Sequence, residues 1–237
     1  MTMIADNLQQ VRTRIATACN THGRPPEAVT LLAVSKTFGP QAVREAFAAG
    51  QTAFGENYIQ EAVDKIVALA DLPLEWHCIG PIQSNKTRLV AEHFDWAHSV
   101  DRLKIAQRLS EQRPKGTAPL NVCIQVNVSG EDSKSGVAPA EAVALAHAVA
   151  ALPRLRLRGL MAIPEPTSDV ALQRARFAAL RALCDRLNAE GLALDTLSMG
   201  MSHDLEPAIA EGASIVRVGT AIFGERVRPA STPTPTA

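Results

Sequence analysis

The chain has 237 residues, 46% of them hydrophobic and 20% charged, which is the balance of a globular protein and excludes a disordered polyelectrolyte. Lys plus Arg total 24 against 24 Asp plus Glu, and a net charge of +0 gives no electrostatic footing for nucleic acid or an anionic membrane surface. The cysteines Cys19, Cys78, Cys123 and Cys184 lie far apart with no CxxC pair, which fits neither a disulfide framework nor a zinc site.

That cysteine usage, with no apolar signal segment at the N-terminus and no run of membrane-spanning length, points to a reducing, cytoplasmic compartment. Ile4, Leu8, Val11, Ile15 and Ala18 recur at helical spacing and predict an amphipathic helix over 4–20, which HGRPPEA at 22–28 stops. Short apolar or β-branched runs then recur. They are VTLLAV from 29, TAF from 52, LEWHCIG from 74, FDWAHSV from 94, LNVCIQVNV from 120, LRLRGLMAI from 155, DTLSM from 195 and SIVRVG from 214. Segments of helical character separate them, such as PQAVREAFAAG and VALQRARFAALRALCDRLNAEG, and several end in glycine as a helix C-cap should. RLRLR at 154–158 reads as a strand whose arginines flank its start.

Strands alternating with helices predict a parallel sheet, and eight of them close a (β/α)8 barrel at about the usual 250 residues. An open doubly wound sheet would need a glycine-rich dinucleotide loop after the first strand, where VSKTFGPQ stands instead. The expected organisation is a single TIM barrel over 1–226 with an extra N-terminal helix, and a disordered Pro/Thr-rich tail over 227–237.

Barrel chemistry gathers at the C-terminal ends of strands. Period-two parity puts Leu32, Val34 and Lys36 on one face of the first strand, Arg217 and Gly219 on one face of the last, and Asn121, Cys123, Gln125 and Asn127 inward on the fifth. A lysine and an arginine thus converge on one cavity. The loops after strands 7 and 8 are the usual phosphate site of such barrels; SMGMS offers Ser198 and Ser202 beside a glycine, and VGTAIFG offers Gly219 followed by Thr220. A lysine beside a phosphate cradle suits a phosphorylated aldehyde held as a Schiff base, and pyridoxal 5'-phosphate (PLP) is such a molecule. An arginine facing its ring nitrogen would donate and keep its own proton, leaving a weak electron sink.

Plainer readings stand beside these. Lys36 at a strand end can snorkel to water, and Arg217 can form a structural ion pair with Glu56. His77 reads as a hydrogen-bonded core histidine and Cys78 as an inert core thiol; Met199 and Met201 can simply pack. His93 and His98 lack partners at metal-ligand spacing, so no metal is expected.

AVSKT, FGENYIQEA, WHCIGPIQSNK, GLMAI, LSMGMSHD and VRVGTAIFG, in this order over about residues 5–226, closely resemble the pyridoxal phosphate homeostasis (PLP-binding) protein family, which shares the N-terminal barrel of alanine racemase. The resemblance implies that Lys36 carries PLP as an aldimine, and that Ser202, Gly219 and Thr220 bind its phosphate. It further implies that Arg217 faces the ring nitrogen and that Asn57 and Met199 line the pocket. It implies a monomeric, non-catalytic carrier that buffers or delivers PLP, with apo PLP-dependent enzymes as recipients. Two other functions stay open: a weak PLP-dependent amino-acid racemase, and a Schiff-base aldolase using Lys36 without cofactor.

Overall fold

The computed structural model describes residues 2–130 and 135–225; the tail expected over 227–237 lies outside the described residues. Each apolar run becomes a strand: β1 Thr30–Val34, β2 Ala53–Glu56, β3 Glu75–Cys78, β4 Trp96–Val100, β5 Leu120–Gln125, β6 Leu155–Met161, β7 Thr196–Ser198 and β8 Ile215–Val218. They pair in parallel and in chain order, and β1 closes on β8 through Leu31↔Val216 and Leu32↔Arg217. Between them run α2 Pro40–Ala48, α3 Ile59–Ala68, α4 Thr87–His93, α5 Leu103–Gln112, α6 Pro139–Ala150, α7 Val170–Ala189 and α8 Leu205–Ala210. The expected TIM barrel is therefore present.

Strands covered on both faces read as unbroken apolar runs, and the two faces feed different cores. Leu31, Ala33, Phe54, Val122, Ile124 and Val216 pack outward against the helices. Leu32, Val34, Ala53, Ile79 and Ile215 form one cluster inside the barrel, and Trp96, Cys123 and Met161 another. The extra helix, α1 Met3–Thr21, is N-capped by Thr2 and buries Ile4, Leu8, Val11 and Ile15. It packs on α2, α8 and the short α9 Thr220–Phe223, covering the β8–β1 seam from outside. Asn7 Nδ2 donates to the Ile222 carbonyl at 2.9 Å and ties α1 to the turn after β8.

Helix ends use the predicted glycines: Gly50 and Gly191 have φ of +81° and +98°, which side chains with a Cβ resist. Gly159 has another role. A Cβ there would lie 1.7 Å from the Thr196 carbonyl oxygen, so only glycine lets β6 approach β7. Gly159→Ala is expected to cost about 3 kcal/mol by splaying this seam, read as a lowered thermal midpoint against wild type.

Candidate functional site

The C-terminal rim holds a cavity of about 240 Å³. Six of the seven residues singled out from the sequence line it: Lys36, Asn57, Ser202, Arg217, Gly219 and Thr220. Lys36 sits two residues beyond the inward Val34, and Arg217 two beyond the inward Ile215, so parity carries both to the mouth. Met201 and His203 complete the rim on the loop after β7. A larger hollow of about 610 Å³ opens at the other end, between α1 and the starts of β1 and β2, and gathers none of the singled-out residues.

Met199 is the exception. Its side chain is fully buried in the outer core and does not line the cavity. Ser198 points inward, so its neighbour must point outward; Met201, two residues further, takes the rim position.

Arg217 is 3% exposed. Its Nη1 donates to the Ser198 carbonyl and hydroxyl, both at 2.7 Å, and its Nη2 to the Ala162 carbonyl at 2.8 Å. A guanidinium has five N–H donors, so two remain for the cavity it lines. Burial pulls its pKa down to about 10, which leaves it charged at neutral pH. The ion pair with Glu56 is not formed, and the reason is again parity: Ala53 faces inward on β2, so Phe54 and Glu56 face the helices. A buried cation held only by neutral acceptors, beside a cavity, invites an acceptor-rich ligand.

Glu56 instead builds a clamp under Lys36. Lys65 on α3 places its Nζ 2.6 Å from Glu56 Oε1 and donates to the Ser35 carbonyl at 2.9 Å; both charged residues are buried. Ser35 Oγ donates to the same Glu56 oxygen at 2.5 Å. On the other side of Lys36, the Thr37 N–H donates to Glu61 Oε1 at 2.8 Å, and Thr37 has φ of +69°, a left-handed conformation that residues with a Cβ seldom adopt. The residues before and after Lys36 are thus held by one acidic and basic network. Desolvation raises the Glu56 pKa despite Lys65 beside it. No sequence motif announced this network; the outward parity of Glu56 and the position of Lys65 nine residues on were its only signs.

The hydroxyl loops converge on the same mouth. Gly200, at φ +91°, has no space for a Cβ, which would lie 2.6 Å from Ala208 Cβ; it turns the chain so that Met201 N–H donates to Asp204 Oδ1 at 2.6 Å and Ser202 meets the cavity. A Cβ at Gly219 would press on the Val34 carbonyl oxygen at 3.2 Å, so glycine keeps the backbone of the β8–α9 turn close to β1. Gly80, whose Cβ would lie 2.2 Å from the Asn57 carbonyl oxygen, lets Asn57 settle on the rim. Asn57 Oδ1 is buried with no hydrogen-bond partner among the described residues, an acceptor waiting for a donor.

His77 and His98 are core histidines, as expected for His77, and lie 2.9 Å apart inside the barrel. Desolvation lowers the pKa of both, so both are neutral at pH 7. Cys78 is buried and its thiol is pushed up to about 12 by desolvation, the inert state expected of it.

Two predictions come from these groups. Lys65→Met leaves Glu56 buried without its counter-charge and should cost about 3 kcal/mol or more. Lys65→Met with Glu56→Gln should recover much of that loss, giving a positive coupling in a double-mutant cycle of chemical denaturation. The histidines set a pH dependence. Their folded pKa values lie below the unfolded value of about 6.5, so the unfolded chain binds more protons and stability falls as pH drops below that value. Removing one titration with His98→Gln should make the slope of stability against pH shallower by up to about 1.4 kcal/mol per pH unit, read from denaturation series across the mildly acidic range.

Comparison with known proteins matches this geometry to a family. The model of the alanine racemase N-terminal domain family matches residues 6–227. The pyridoxal phosphate homeostasis protein of Pseudomonas aeruginosa is 67% identical over 226 residues, covering 95% of this chain and 97% of that protein. Its Escherichia coli counterpart is 57% identical over 229 residues, with 95% and 98% covered. Among solved structures, PipY of Synechococcus elongatus with PLP bound superimposes with a TM-score of 0.82 at 40% identity, covering 93% of this chain and all of that one. The resemblance drawn from the motifs thus holds along nearly the whole length, and the chain belongs to the pyridoxal phosphate homeostasis protein family, built on the alanine racemase N-terminal barrel.

Proposed function

We propose that this chain binds PLP in the mouth cavity with Lys36 as the point of covalent attachment, and serves intracellular PLP homeostasis by buffering or delivering the coenzyme. The observation that carries the reading is the meeting of an amine, a guanidinium with unspent donors and two hydroxyl-bearing glycine turns in one cavity. Its kinship with pyridoxal phosphate homeostasis proteins and the PLP bound in PipY support it. Bound PLP would supply an aldehyde that captures amines and a phosphate that anchors the molecule.

The residues present suit such a ligand. Ser202, Thr220 and the backbone at Gly219 offer donors to a phosphate at the loops where barrels of this class take one. Arg217 keeps its proton and offers N–H to a ring nitrogen, and Asn57 Oδ1 offers an acceptor. Arg217 also places a positive charge in the same cavity as Lys36. Met199 has no direct part through its side chain. The protein acts as a cytoplasmic monomer in this reading, and apo PLP-dependent enzymes receive the coenzyme.

A second reading, weak amino-acid racemisation, is favoured by His203, a further imidazole lining the same cavity as Lys36. Tyr58, the sole tyrosine, is 52% exposed and outside the lining. Incubation with single L-amino acids in deuterated water decides between the two: a carrier leaves the Cα proton and the chirality unchanged, and a racemase exchanges both.

Borohydride reduction of the PLP-loaded protein followed by peptide mapping tests the attachment. The adduct is expected on Lys36, and Lys36→Ala should lose the yellow band while keeping the wild-type thermal midpoint within about 1 kcal/mol of stability. An adduct on another lysine would refute the assignment, and a protein that stays colourless with added PLP would favour the cofactor-free aldolase. Arg217→Ala should shift the band and weaken retention without abolishing it.

A further inference from the structure

The polar groups inside the barrel form one continuous chain. Arg217 Nη1 lies 2.7 Å from Ser198 Oγ, which lies 2.8 Å from His98 Nδ1. His98 Nε2 lies 2.9 Å from His77 Nδ1, and His77 Nε2 lies 2.7 Å from Glu75 Oε1. The chain starts at the cavity, crosses from β8 and β7 to β4 and β3, and ends at the first residue of β3, the opposite end of the barrel. Glu75 has a half-exposed side chain there, whereas the links between it and Arg217 are buried.

This chain has a direction. A guanidinium only donates, and an ionised carboxylate only accepts. Each group between them must accept on the cavity side and donate on the other. Ser198 accepts from Arg217 and donates to His98 Nδ1; His98 carries its proton on Nε2 and donates to His77; His77 carries its proton on Nε2 and donates to Glu75. The opposite tautomer of His77 would set its Nε2 lone pair against the carboxylate, and the buried imidazole would lose its one acceptor on that side. Trp96 stacks on His77 with centroids 5.3 Å apart, and Arg158 lies over Trp96 at 4.8 Å, so the imidazole plane is fixed as well.

We propose that Ser198, His98, His77 and Glu75 are positioning residues for Arg217. The carboxylate sets the polarity, the two imidazoles transmit it, and Ser198 presents a lone pair that holds Nη1, leaving the remaining N–H donors aimed at the cavity. Apolar side chains would fill the interior at lower desolvation cost, so a directed polar chain needs a reason beyond packing. The purpose assigned to Arg217 rests on the PLP reading above; the polarity of the chain does not.

Long-range proton–nitrogen correlation of the imidazoles tests it, on the protein at neutral pH before and after PLP is added. Both His77 and His98 are expected as Nε2–H tautomers in both states. Glu75→Ala should release His77 from its fixed tautomer, speed PLP release several-fold and shift the PLP absorption band, with borohydride still trapping PLP on Lys36. Glu75→Gln, whose amide oxygen still accepts, should restore much of the wild-type behaviour. An Nδ1–H tautomer at either ring in the wild-type protein overturns the proposal, as does a Glu75→Ala protein with unchanged band and release rate. A wild-type protein that takes up no PLP would instead overturn the cofactor reading, and the tautomers alone would then decide the relay.

Discussion

A guanidinium taken out of water with no carboxylate in hydrogen-bond contact must be satisfied by neutral acceptors, and the interior of this barrel is arranged around that requirement, with the Asp204 charge close enough to act on Arg217 through space. Arg217 lies among the inward residues of a closed sheet, where most neighbours are aliphatic or aromatic. Two carbonyls and one hydroxyl meet it, and the hydroxyl is itself held by His98, the first of two neutral histidines in line with Glu75. An acid placed directly against Arg217 would have neutralised it and consumed the donors that now face the cavity. Glu75 stands at the far end of the barrel and Asp204 acts without a hydrogen bond to Arg217, so the charge and the donors stay available.

The amine at the same mouth is treated differently. Lys36 sits on a turn whose neighbours are pinned from outside the sheet, by Lys65 and Glu56 through Ser35 and by Glu61 through Thr37. The pinning also holds Thr37 in its left-handed conformation, which an unsupported turn would give up. The guanidinium is thus positioned from within the barrel and the amine from the helical shell. The two supports share no residue, so each can be loosened without the other.

Much of the fold was legible because a parallel barrel leaves a simple trace. Every apolar run became a strand, and VTLLAV and SIVRVG carried their own parity, so the approach of Lys36 and Arg217 could be read before any coordinates. The same parity rule, applied to DTLSM, would have turned Met199 outward once Ser198 faced in; the family resemblance pointed to it instead. The rule applied to AFGE would have removed Glu56 from Arg217. What could not be read is the pairing across the barrel. Ser198 and His98 are 100 residues apart and meet because four strands happen to bring them to one level of the interior. The Lys65 clamp depends on where along α3 a side chain reaches down to the sheet, which periodicity alone leaves open.

The arrangement bears on what the cavity at the rim can do for a ligand. An enzyme gains from excluding water and from opposing two proton-transfer groups across its substrate. Here the proposed attachment site is a cavity on the rim, and its polar groups are fixed in orientation: Gly200 and Gly219 shape the turns, Asn57 keeps an unsatisfied acceptor among the described residues, and the Arg217 chain runs the depth of the barrel. Fixed donors lower the ordering cost of binding without adding contact area. What the cavity offers a ligand is therefore set by where its polar groups are anchored: Arg217 through the barrel interior, and the two glycine turns through β1 and α8.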